Sequence, residues 1–264
     1  MRKIVLYFFL LFYSGLSAQD TIAWQYVSHG IRFAVPEESQ DRDILICFAG
    51  WSVEQAWSEN WAMKLWEAKL KDTGTGYLYA VKGPKDVFFE SSEIATDSLA
   101  MHLQSLMTKN KEMGPIKIIV VAHSSGSFVA HRFFSVLNAK LDWQDLLAKI
   151  TYYNLDGAIG SATPATTLTK SVSDKLKEIY AVYAYDETEN IASPNKNEMQ
   201  KMVLLYPEKV TAIELKSSNS GCKDPWCVHD LLINQSPHNP NGFDLEKDYF
   251  EINEQHPVND HYFR

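Results

Sequence analysis

Downstream of residue 120 the chain holds a serine between very small neighbours, carboxylates that close apolar runs, and histidines in turn-rich segments. Those three types together can do nucleophilic chemistry. A hydroxyl at its ordinary pKa is a weak nucleophile, so it needs a base to take its proton and a carboxylate to hold that base in the right tautomer. The serine lies in "VVAHSSGSFVAHRFF", residues 120–134, where a β-branched run leads in and a helical pattern leads out. Ala122 and Gly126 stand two positions either side of Ser124. A turn this tight tolerates only tiny side chains at those offsets, because strand and helix nearly touch. Ser125 fails the same test, since His123 occupies one of its flanks.

Two later carboxylates end apolar runs: Asp156 in "YYNLDG" and Asp186 in "AVYAYDE". Among the histidines, His229 in "DPWCVHDLLIN" precedes an apolar, helix-like run, whereas His238 is followed by the turn sequence "NPNG". His256 and His261 near Asp260 are read as terminal residues rather than as a metal site.

The segment from Ala122 to Gly126 resembles the nucleophile elbow of the α/β-hydrolase superfamily, usually written G-x-S-x-G, with alanine in place of the first glycine. The resemblance spans roughly residues 43–234 and does not reach a named subfamily. It implies the chain order serine, acid, histidine, hence Ser124 as nucleophile, Asp186 as acid with Asp156 as the alternative, and His229 as base. Acids of the superfamily usually follow the later of the two strands in question, which favours Asp186. The resemblance also implies that the oxyanion is held by the backbone N–H of Ser125 and by that of Trp51 in "FAGWS". No HGGG-like run is present there, which argues against the lipase branch. The implied reaction is cleavage of a carboxylic ester (or thioester) through an acyl-enzyme on Ser124, with no cofactor and no metal. A serine peptidase or amidase on the same triad, and a catalytically silent fold used as a binding module, are the alternatives. Trp51, Tyr185 and Trp226 are expected in loops around these groups, forming an aromatic pocket for a small-molecule or polymer-borne ester.

Positioning such residues requires a sheet. Apolar runs rich in β-branched and aromatic residues recur at 44–48, 77–81, 116–121, 150–155, 179–185 and 210–215, mostly with helical segments between them. Continuous apolar strands alternating with helices predict an α/β class with a mostly parallel central sheet and helices on both faces. "IAWQYVSHGIRFAV", residues 22–35, predicts an opening antiparallel hairpin around a Ser28-His29-Gly30 turn. Trp57, Trp61 and Leu65 recur every four residues, and Leu99, Leu103 and Leu106 share one helical face. The second of these segments begins with Ser/Glu capping chemistry at "SSE" and stops at Gly114-Pro115. Residues 197–206 predict a further amphipathic helix. No repeat or linker divides the chain, so residues 19–264 read as a single domain.

The chain has 264 residues, 25 Lys and Arg against 33 Asp and Glu, and a formal net charge of -8, which gives no basis for gripping nucleic acid or anionic lipid. There is no Walker-type glycine loop or acidic metal cluster for phosphoryl chemistry. Residues 1–18 carry Arg2 and Lys3, then a short apolar run, then small residues, the pattern of a secretory signal peptide. Export to the periplasm or exterior is therefore expected, with no membrane span after cleavage. In such a compartment Cys222 and Cys227 can close a small loop as a disulfide, while Cys47 lies in an apolar run and reads as buried.

Overall fold

Near-continuous apolar strands are stable only where both faces of a sheet are covered. In the computed structural model, which describes residues 22–36, 43–67, 75–85, 93–110, 116–160, 164–186, 191–192, 195–216 and 229, β3 (Asp43–Phe48) shows how this works. Ile44, Ile46 and Phe48 enter one buried cluster, while Leu45 and Cys47 enter the other on the opposite face. The period-two alternation thus divides an unbroken apolar run between two cores.

Around β3 the described residues form nine strands in the order β1-β2-β4-β3-β5-β6-β7, with β8 and β9 both paired to β7. β1 (Gln25–Ser28) and β2 (Ile31–Ala34) make the expected antiparallel hairpin, whose turn includes Gly30 at φ 75°. β2 also runs antiparallel to β4 (Thr75–Val81). β4, β3, β5 (Ile118–His123), β6 (Ile150–Leu155), β7 (Glu178–Asp186) and β9 (Val210–Lys216) are mutually parallel. The short β8 (Ile191–Ala192) folds back antiparallel on β7.

Helices cover both faces, as the sequence predicts. α1 (Gln55–Leu65) seats Trp61 and Leu65 in the Leu45 core, with Trp57 packed against it. These tryptophans are packing residues. On the other face lie α2 (Thr96–Lys109), with Leu99 and Leu103 buried, and α3 (Gly126–Ala139), with Phe133, Phe134 and Leu137 buried. The short α4 (Gln144–Leu147) and α5 (Lys170–Ser173) join that layer, as does α6 (Lys196–Leu205) through Met199 and Met202. One boundary differs from expectation. α2 begins at Thr96 behind Ala95, with no side-chain cap, rather than at the Ser/Glu pair upstream.

Residues 1–18, Cys222, Cys227, Trp226, His238, His256 and His261 lie outside the described residues, as do the side chains of Tyr185 and Asp186. No helix among the described residues is long and apolar enough to cross a membrane.

Candidate active site

The parallel strands β3, β5 and β6 all end at one edge of the sheet, and the chain turns sharply after each. His123 and Leu155 are register partners on β5 and β6. The ladder continues for one more amide on each strand: Ser124 N–H donates to the Leu155 carbonyl at 3.0 Å, and Asp156 N–H to the Val182 carbonyl at 2.6 Å. Both residues then take a left-handed backbone, Ser124 at φ 51° and Asp156 at φ 50°. Such a conformation costs a non-glycine residue on the order of 1 kcal/mol or more and persists only where neighbours over-determine it.

For Ser124 the constraint is the helix that starts two residues later. A Cβ at Gly126 would overlap the carbonyl oxygen of Phe48, so glycine is required by the adjacent strand β3 rather than by contact between β5 and its own helix. For Asp156 the constraint is a set of polar contacts on its turn. Asn154 Oδ1 accepts from Gly157 N–H at 3.0 Å, and Ser127 Oγ accepts from Ala158 N–H at 3.2 Å. Asn195 Nδ2, at the start of α6, donates to the Asp156 carbonyl at 2.7 Å. Asn154 is local to this turn, whereas no signal in the local sequence marks Ser127 or Asn195 as supports, because they come from α3 and the start of α6.

His229 is buried and its Nδ1–H donates to Asp156 Oδ2. A carboxylate oxygen can only accept, so Nδ1 carries a proton, and in the neutral ring Nε2 keeps the lone pair. The carboxylate that meets His229 is Asp156, which the sequence offers as the alternative to Asp186. Leu155 pairs with Val182, so Asp186 lies three residues past the level of Asp156, roughly 10 Å further along the strand direction. It sits in the β7–β8 hairpin, opposite Ile191. Tyr185 likewise belongs to strand β7, opposite Ala192, rather than to a loop.

No protein-family model matches the chain, and no curated protein matches it by sequence. Solved structures do match. A predicted CIB-like hydrolase from Thermoplasma acidophilum aligns over 91% of this chain and 97% of its own, with a TM-score of 0.50 at 9% identity. A fungal esterase from Rhizomucor miehei aligns over 88% of this chain and 78% of its own, with a TM-score of 0.50 at 15% identity. The chain has the α/β-hydrolase fold.

Within this α/β-hydrolase fold the loop after β3 packs directly on the serine turn. A Cβ at Gly50 would stand 2.9 Å from His123 Nδ1 and 3.2 Å from Ser124 Cβ. Hydrogen bonds occupy the N–H groups of Ala49, Ser52 and Val53, whose partners are the carbonyls of Val81, Pro84 and Gly50. Among the described residues, no backbone hydrogen bond occupies the N–H of Gly50, Trp51 or Ser125. Trp51 is 54% exposed, and its Nε1–H donates to the Lys85 carbonyl at 2.9 Å, so the indole is fixed by one edge while presenting its ring to solvent. Among the described residues no group of His, Cys, Asp and Glu is arranged to hold a metal ion.

Proposed function

We propose that this chain is a serine hydrolase that cleaves carboxylic esters (or thioesters) through an acyl-enzyme on Ser124, with His229 as base and Asp156 as its orienting acid. The observation that carries the reading is the buried His229–Asp156 hydrogen bond, set on the strand next to a half-buried serine at positive φ. Fold alone would not support an activity. A serine at a strand end, a histidine held by a carboxylate, and amide N–H groups without a backbone partner in the neighbouring turns form the combination that acyl transfer needs.

In this mechanism the Ser124 Oγ attacks the ester carbonyl carbon as its proton passes to His229 Nε2. Asp156 keeps Nδ1–H and stabilises the imidazolium that forms. The oxyanion is held by the N–H groups of Trp51 and Ser125. His229 then gives its proton to the departing alcohol, and a water deprotonated by the same ring releases the acid and restores Ser124. The exposed Trp51 ring fits an aryl or acyl group lying against the mouth of the site. Export through the basic and apolar leader of residues 1–18 belongs to the same reading and places the substrate outside the cytoplasm.

The test is labelling by a fluorophosphonate probe together with hydrolysis of short-chain aryl esters, for the native chain and Ser124→Ala. The proposal expects labelling and turnover that both disappear in the variant. A native protein that neither labels nor turns over esters is instead a binding module on the same fold. Labelling with turnover of aryl amides in preference to esters makes it an amidase.

A further inference from the structure

Among the described residues, His123 is the one buried histidine at the sheet edge that the proposed chemistry leaves without a role. Its residue is 3% exposed, and its ring packs against that of His229 with centroids 4.4 Å apart and planes tilted by 39°. Its Nε2 lies 3.3 Å from the His229 backbone carbonyl. A carbonyl only accepts, so Nε2 carries the proton and donates it. Nδ1 then holds a lone pair, buried and without a hydrogen-bond partner among the described residues, facing Gly50 in the loop after β3. Burial, and secondarily the neighbouring His229, push the ring's pKa well below 6.5, so it is neutral when that donation is made. One residue thus touches the serine turn through its own backbone, the histidine through both ring and carbonyl, and the oxyanion loop through Nδ1.

We infer that His123 is a positioning residue: its Nε2–H bond to the His229 carbonyl and its ring packed on that of His229 hold the His229 imidazole against Asp156. The role in turnover rests on the serine-hydrolase reading, whereas the positioning itself is a property of the two rings and is measurable without substrate.

The experiment compares the native protein with His123→Phe, which keeps an aromatic ring and loses the donor, and His123→Gln, which keeps an N–H donor of similar reach. Imidazole 15N and 1H spectra report the His229 Nδ1 proton and the His123 tautomer, and melting temperatures check folding. The expected native spectrum shows His123 as the Nε2–H tautomer and a downfield His229 Nδ1 proton. In His123→Phe that proton signal broadens or vanishes, and kcat on a short-chain aryl ester falls about tenfold with KM unchanged. His123→Gln keeps the signal and stays within about threefold of native kcat. A native His123 in the Nδ1–H tautomer overturns the inference whatever the variants do. So does an intact His229 signal with native kcat in His123→Phe, or an equal loss in both variants. Spectra as expected in a protein that hydrolyses no ester uphold the positioning and reject the reaction instead.

Discussion

Ser124 and Asp156 occupy equivalent places on adjacent strands, each one residue past a register pair, each donating its N–H to the next strand, and each at a φ near +50°. Neighbouring strands lie about 4.8 Å apart, so this equivalence puts the serine and the aspartate side by side where β5 and β6 end, and Asp156 meets His229 there.

From this follows a choice between two acids. Asp156→Asn should lower kcat on a short-chain aryl ester by on the order of 10⁴-fold, because the amide no longer selects the Nδ1–H tautomer of His229. Asp186→Asn should stay within about threefold of native, because its position on β7 lies three residues past the level of Asp156. Steady-state kinetics of the two variants decide the matter, and the opposite pattern returns the acid to β7.

Gly126→Ala should be far more damaging than its single methyl suggests. The new Cβ meets the Phe48 carbonyl, backbone that cannot swing aside, and the strain passes through Ala49 into Gly50 and Trp51. A loss of about 1–3 kcal/mol in denaturant unfolding is expected, together with slower fluorophosphonate labelling. A variant with native midpoint and native labelling rate would show that the contact relaxes freely.

Asn195→Ala tests the support under the acid. Losing the 2.7 Å donor to the Asp156 carbonyl should reduce stability by about 1 kcal/mol and kcat several-fold while leaving KM in place. Equal kinetics with lower stability would assign Asn195 to folding alone.

A pH dependence comes from a histidine outside the site. His131 is fully buried in α3, accepting from the Tyr152 hydroxyl at 3.0 Å and donating Nδ1–H to the Thr166 carbonyl at 3.2 Å. Burial lowers its pKa from 6.5 to about 4. Between those values the unfolded ring binds a proton that the folded ring refuses, so stability falls as pH drops from 6.5 towards 4. The loss is on the order of 3 kcal/mol. Urea midpoints across that window should fall steeply for the native chain and less steeply for His131→Gln. The slope that remains belongs in part to His123, whose buried ring shifts in the same direction.

The elements were legible because their signals are local. The apolar runs at 44–48, 150–155 and 210–215 became β3, β6 and β9 within a residue at each end, and the turn at Ser124 was marked by Ala122 and Gly126 flanking it. Local signals also misled where the helix start was concerned: Ser91 and Glu93 carry capping chemistry, yet α2 starts at Thr96, where Thr96, Leu99 and Leu103 are buried.

By itself the sequence determined the α/β alternation, the hairpin at the start and the serine on a strand-to-helix turn, since each depends on side-chain periodicity or on the size of residues close in the chain. Only the tertiary structure decided that Asp156 meets His229, that Gly126 answers to the Phe48 carbonyl, and that His123 lies between Gly50 and His229. Those outcomes depend on which strands become neighbours and at what register, and that is settled by packing across the whole sheet rather than by any short stretch of residues.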